Sequence, residues 1–235
     1  MTSTLGAVSQ YRRRRTDIEA VERVLGVLML QTRFPRPPGD IGHAATFACK
    51  VRYAVVPGAT PQRVVREGDP MLLDPFIEAG LSLVERGATA LATSCGFLVQ
   101  FQRQLQAALP VPVWTSSLLL LPRLNRAGVV TVDAQALRPE HLRAAGATPD
   151  TPVEGLEQGC AFQRTLLDDL ASLDAVDAEA QVVAAALRLK ARHPGLQHVV
   201  LECTNMPPYA QAVRAATGCQ VHDITTLVGQ RFADG

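Results

Sequence analysis

Twice in this chain a strand-length apolar run stops abruptly in small polar residues and a cysteine, and that pattern leaves few architectures open. The first occurrence is Ala90-Leu91-Ala92-Thr93-Ser94-Cys95-Gly96-Phe97, the second His198-Val199-Val200-Leu201-Glu202-Cys203-Thr204-Asn205-Met206. A short continuous apolar run suits a strand buried on both faces, the strand of a parallel sheet covered by helices. Ligands of such sheets bind outside the carboxyl ends of the strands, so both thiols are expected at a ligand crevice. The N–H groups opening the next helix would favour a thiolate or a carboxylate at the same place.

The remaining chain alternates strands and helices, as a parallel α/β sheet requires. Val24 to Leu30 reads as a buried strand running into a Pro- and Gly-rich loop, Gln31 to Gly42. Val51 to Val56 is a second strand, Met71 to Arg86 a helix stopped by Gly87, Phe97 to Leu109 a helix, and Val111 to Trp114 a strand. The order then repeats: strand Gly128 to Val132, helix Pro139 to Ala145, strand Pro152 to Gly155, helix Asp174 to Arg192 and strand Gln197 to Leu201. A helix from Pro208 to Thr217 and a strand Gln220 to His222 close it. Val24 aligns with Val129 and Cys95 with Cys203, so the expectation is two pseudo-symmetric α/β lobes with the active site in the cleft between them. The expected boundaries are a flexible segment 1–20, lobe 1 over 21–122 with a C-terminal return 210–235, and lobe 2 over 123–209.

Composition excludes several classes. A net charge of +1 does not suit a nucleic-acid binder, and the basic run Arg12-Arg13-Arg14-Arg15 reads as a solvated tail. No apolar run approaches the ~18 residues of a membrane span, and no hydrophobic segment follows the arginines as in a secretory signal. Five cysteines without a C-x-x-C pair argue against a disulfide framework or zinc ribbon and fit a reducing cytoplasm. The five histidines form no metal-ligand spacing, and His43, after the Gly-rich loop, is the one worth testing.

Two thiols facing each other across a cleft suit proton transfer at a carbon next to a carboxylate. One acts as thiolate base and the other as thiol acid, on opposite faces of the substrate. The developing enolate needs aimed N–H and hydroxyl donors, which Thr93, Ser94, Thr204, Asn205 and the helix openings would supply. Thr93-Ser94-Cys95-Gly96 and Leu201-Glu202-Cys203-Thr204-Asn205 resemble the two cysteine motifs of the aspartate/glutamate racemase superfamily. Hydantoin racemases, maleate isomerases and arylmalonate decarboxylases belong to the same superfamily. The loop Thr32 to Gly42 resembles that of a poorly characterised branch.

The resemblance implies a cofactor-independent racemase or isomerase, needing no pyridoxal phosphate, with Cys95 and Cys203 as the acid/base pair. Decarboxylases of the superfamily keep one of the two cysteines, so retention of both points to racemisation or isomerisation. A homodimer is expected by analogy with such enzymes. The expected partner is a small carboxylate, held by Thr32, Arg33, Thr93, Ser94, Gly96, Ser116, Thr204 and Asn205. Glu202 and Asn205 stand where typical amino-acid racemases of the group carry Gly and His, and Gly96 stands where they commonly carry Asn. The substrate therefore stays open among amino acids, hydantoins and dicarboxylates.

Each of these residues also has a structural reading. A lone cysteine is more often a small core residue, and Cys49, Cys160 and Cys219 are read so. Thr204 and Asn205 would serve equally as helix caps. Glu202 is expected to alternate away from the neighbouring thiol and to be structural. A one-cysteine hydrolase would leave the mirrored cysteine unexplained. A non-catalytic carboxylate-binding protein on the same fold is the other alternative.

Overall fold

The computed structural model describes residues 22–234; the Arg12–Arg15 run and the expected flexible segment 1–20 lie outside them. Eight strands form two four-stranded sheets, all neighbours parallel. The first contains β1 (Val24–Met29), β2 (Lys50–Val55), β3 (Ala90–Thr93) and β4 (Val113–Trp114) in the order β2-β1-β3-β4. The second contains β5 (Ala127–Thr131), β6 (Val153–Gly155), β7 (His198–Leu201) and β8 (Gln220–His222) in the order β6-β5-β7-β8. The two orders are the same once the second sheet is counted from its own first strand. The fold is thus two repeated parallel α/β sheets with flanking helices, as the sequence pattern demanded.

The central strands explain why the runs are apolar throughout. Every residue of β1 is buried. Gly26 is glycine because a Cβ there would lie 2.5 Å from the Leu91 side chain on the adjacent strand. One face of β1 packs under α1 (Leu73–Glu85) through Leu28, Phe76 and Leu83. The other, through Leu25, Val27 and Met29, packs against Ile224, Leu227 and Val228 of the C-terminal helix. β2 is the edge strand and is only partly buried, which is where Arg52 and Lys50 are tolerable.

Helices α2 (Gln102–Ala108), α3 (Pro139–Ala144), α4 (Ala161–Leu167), α5 (Ala175–Arg192) and α6 (Ala210–Thr217) follow in order. α5 starts where Asp174 accepts hydrogen bonds from the Val176 and Asp177 N–H groups, and it buries Ala178, Val182, Ala185, Ala186 and Leu189 along one face. Gly218, in the left-handed region at φ 68°, ends α6. α6 packs on α5 and β8 of the second sheet, and only the last helix, α7 (Ile224–Asp234), crosses back to the first. Its Phe232 meets Trp114 edge-on at 5.3 Å. A single apolar core then runs through both halves, joining Leu91 and Phe97 to Val130 and Leu201.

Candidate active site

Parallel sheets of this order reverse direction of connection beside the first strand, between β1 and β3 and again between β5 and β7. A crevice opens there at the carboxyl ends. Cys95 follows β3 and Cys203 follows β7. Hydrogen bonds between the halves bring the two ends together: Thr204 Oγ1 donates to the Ser94 carbonyl at 2.6 Å, and Ser117 Oγ to the Leu201 carbonyl at 2.7 Å. The result is one small pocket lined by both cysteines with Ser94, Gly96, Glu202 and Asn205, and walled by Phe34, Phe97, Leu166 and Leu167. Its interior, about 30 Å³, admits one or two waters.

A larger open groove of about 740 Å³ lies beside Arg126, Thr148, Pro152 and His193. It sits at the amino ends of β5 and β6, the end of a parallel sheet that does not carry ligand sites, and it contains none of the cysteines.

The two thiols have different surroundings. Cys95 is half-buried and precedes a 3-10 turn, Gly96–Phe101, that leads into α2. Burial pushes its thiol up, the Glu202 charge adds to the rise, and the Phe97 N–H and the Arg36 guanidinium oppose it. Cys203 is buried and is also pushed up, by burial first and then by Glu202, Cys95 and Asp40, with the Asn205 N–H opposing. Its Sγ donates to Asn205 Oδ1 at 3.5 Å; Asn205 Nδ2 donates to Asp40 Oδ2 at 2.6 Å; and Arg36 closes the chain on Asp40 Oδ1 at 2.9 Å. Asp40 is buried, so this is a dry relay of polar groups satisfied by one another.

The remaining expected site residues divide. Ser94 lines the cavity; its Oγ accepts from the Leu30 N–H at 2.8 Å and keeps its own proton to donate. Gly96 lines it too, and a Cβ there would collide with Glu202 Oε1 at 2.3 Å and the Glu202 carbonyl at 2.5 Å. Thr93 donates to the Thr115 and Cys95 carbonyls, and Thr204 to Ser94, so both hold strand ends rather than face the cavity. Ser116 is buried and accepts from the Leu118 N–H as a cap. Thr32 accepts from Arg36. Arg33, its side chain 76% exposed, pairs with Asp169 on the segment after α4 and does not reach the cavity. His43 accepts from the Ala45 N–H within its own loop.

Two residues at the site are not singled out by the sequence, and a third is placed differently from its expectation. Arg36 and Asp40 lie inside the quoted loop, four apart, and their spacing in a Gly- and Pro-rich segment was the available signal. Glu202 is the third, and its structural reading is corrected. β7 ends at Leu201, so strand alternation no longer governs residue 202, and the carboxylate turns to the cavity. Its Oε2 accepts from Thr131 Oγ1 at 2.7 Å. Its Oε1 is buried without a partner among the described residues, and burial lifts the carboxyl to about 7. Tyr209, beside Asp40 and Cys203, likewise has a buried hydroxyl without a partner among these residues.

No protein-family model matches the chain. It is 31% identical over 215 residues to a dimethylsulfoniopropionate lyase of Durusdinium sp. clade D, covering 85% of this chain and 70% of that protein. The chain belongs to the dimethylsulfoniopropionate lyase family. To dimethylsulfoniopropionate lyase 3 of Emiliania huxleyi (strain CCMP1516) it is 30% identical over 228 residues, covering 89% of this chain and 59% of that one. The chain thus spans less than two thirds of the length of that relative.

Among solved structures, an allantoin racemase from Klebsiella pneumoniae superposes with a TM-score of 0.61 at 16% identity, covering 87% of this chain and 83% of that one. Unliganded arylmalonate decarboxylase superposes with a TM-score of 0.56 at 15% identity, covering 85% and 86%. These likenesses show the fold, the two-lobed α/β architecture of these racemase and decarboxylase structures.

The relatives and the structural neighbours are enzymes, but the expectation of a racemase or isomerase is overturned by relatives that are lyases. The physical reason is that racemisation and β-elimination can start with the same step, removal of a proton beside a carboxylate by a base. A pair of strand-end cysteines reports on that step and not on the fate of the electron pair. Retention of both cysteines therefore does not select racemisation.

Proposed function

We propose that this chain is a lyase that cleaves dimethylsulfoniopropionate, or a propanoate with a similar leaving group on its β carbon, by elimination. The observation that carries the reading is the meeting of Cys95 and Cys203 in one small pocket at the carboxyl ends of β3 and β7. Membership of the lyase family supplies the substrate class.

The step balances without a cofactor. A thiolate takes the proton on the carbon next to the carboxylate. The C–H electron pair forms the Cα=Cβ double bond, and the Cβ–S bond breaks with its pair going to sulfur. Dimethyl sulfide and acrylate leave, and the thiol returns its proton to solvent. Cys95 is taken as the base because it is half-buried where Cys203 is buried, and because the Arg36 guanidinium opposes the rise of its pKa while Asp40 adds to that of Cys203; Glu202 raises both, and a backbone N–H opposes the rise at each. Cys203, bonded to Asn205, stays the neutral thiol. The Ser94 hydroxyl and the N–H groups of the turn after Cys95 would hold the substrate carboxylate as charge develops on it.

The test is incubation of the purified chain with dimethylsulfoniopropionate, reading dimethyl sulfide in the headspace and acrylate by proton NMR. Equal amounts of both products, formed faster as the pH is raised, are expected, since both thiols are raised above their ordinary value near 9. A folded protein that yields neither product removes the reading.

A further inference from the structure

The lyase step leaves Glu202 unused, and its setting is unusual for a carboxyl group. It is fully buried, it lines the cavity between the two cysteines, and one oxygen has no partner among the described residues. Its single hydrogen bond comes from the neutral Thr131 hydroxyl, and no arginine, lysine or histidine among those residues pairs with it. A carboxylate shut into a dry site is costly unless paired. The chain also makes room for it: residue 96 must be glycine, because a Cβ would strike both Glu202 Oε1 and the Glu202 carbonyl. Arg36, the cation nearest the site chemistry, is committed to Asp40 and Thr32 instead.

We propose that Glu202 is the specificity-determining residue of this cavity, a counter-charge for a cationic, non-hydrogen-bonding group carried by the substrate β to its carboxylate. This rests on the lyase reading for the identity of the substrate, and it explains what that reading does not, namely why a buried carboxyl group faces a substrate that itself carries a carboxylate. A sulfonium or quaternary ammonium centre carries a positive charge but no N–H or O–H. It needs a nearby anion and an apolar wall, not a donor–acceptor array. Glu202 Oε1 supplies the first, and Phe34, Phe97, Leu166 and Leu167 supply the second. Burial lifts the carboxyl to about 7, so a cation arriving beside it favours the anion.

Two probes of matched shape test this by calorimetry on the full chain. 3-(Trimethylammonio)propanoate carries the cation, and 4,4-dimethylpentanoate is its neutral carbon isostere. The wild-type chain is expected to bind the cationic probe at least about tenfold more tightly, because a charge pair in a half-dry site outweighs one in water. Glu202→Gln, which keeps the shape and the Thr131 hydrogen bond, should erase that preference and leave the neutral probe within about twofold.

No preference in the wild type, no binding of the cationic probe, or a preference that survives in Glu202→Gln would each overturn the inference. The wild-type ratio is decisive even if the variant fails to fold. Trimethylamine release from the cationic probe is read alongside the heat, so an absence of elimination products from it and from dimethylsulfoniopropionate with the binding preference intact strikes the elimination reading alone. Products formed without the preference strike the role of Glu202 alone.

Discussion

The two cysteine turns occupy equivalent places in sheets of the same strand order, yet they are chemically unlike. The turn after β3 leaves Cys95 partly accessible, with Arg36 and the Phe97 N–H opposing the rise of its pKa. The turn after β7 buries Cys203, whose thiol donates a hydrogen bond to Asn205 Oδ1, and Asn205 is anchored on Asp40. A racemase working in both directions needs two thiols that exchange roles. Elimination runs one way and needs one base, so an unequal pair suits it. The repeated backbone creates the meeting of the two thiols, and the unrepeated side chains give them unlike surroundings.

Four measurements bear on that asymmetry. Replacing Cys95 with serine should lower lyase turnover about a thousandfold, the scale of a lost general base, whereas Cys203→Ser should cost about tenfold. Equal losses would make the pair symmetric after all and return the base assignment to open question. Asp40→Ala removes the anion shared by Arg36 and Asn205, on a guanidinium whose side chain is only 12% exposed. Urea unfolding should show a loss of about 3 to 5 kcal/mol, the usual result of orphaning one partner of a buried pair. A change near zero would mean that the relay is not a structural unit.

Glu202 sets a third, smaller effect on stability against pH. Its carboxyl is raised in the folded protein from 4.5 to about 7, so the folded state holds the proton more tightly than the unfolded chain does. That contribution is full below 4.5 and is lost as the pH climbs through 7, a decline on the order of 3 kcal/mol. Denaturant midpoints across this window should fall in the wild type and lose that component in Glu202→Gln. The smallest effect belongs to Arg33→Ala at the rim. Its partner Asp169 lies across the cleft, but with the arginine side chain 76% exposed the change in stability should stay below about 1 kcal/mol. A larger loss would make this rim contact part of what holds the cavity shut.

Most of the element order was legible because its signals are local. Continuous apolar runs gave the buried strands, and Gly87 and Gly195 marked turns before β3 and β7. What escaped was short or mixed. α4, Ala161–Leu167, has seven residues and shows its apolar side, Phe162, Leu166 and Leu167, only as the roof of the cavity. α7 alternates Thr and Gly with its buried Ile224, Leu227 and Val228, so its periodicity is weak until the face of β1 is known. The expected helix after Cys95 opens instead as a 3-10 turn before α2. The carboxylate-binding set failed at Arg33 because one residue of loop geometry decides whether a guanidinium points to solvent or, as at Arg36, inward.

The sequence by itself determined that two parallel sheets form and that each delivers a cysteine from the end of its third strand, since hydrophobic period and turn chemistry act over a few neighbouring residues. Only the tertiary structure decided which groups surround each thiol. Asp40 and Asn205, or Gly96 and Glu202, lie far apart along the chain and meet through packing that no local pattern encodes. Burial and nearby charge set the protonation of both thiols and of Glu202, and both are properties of the assembled cavity.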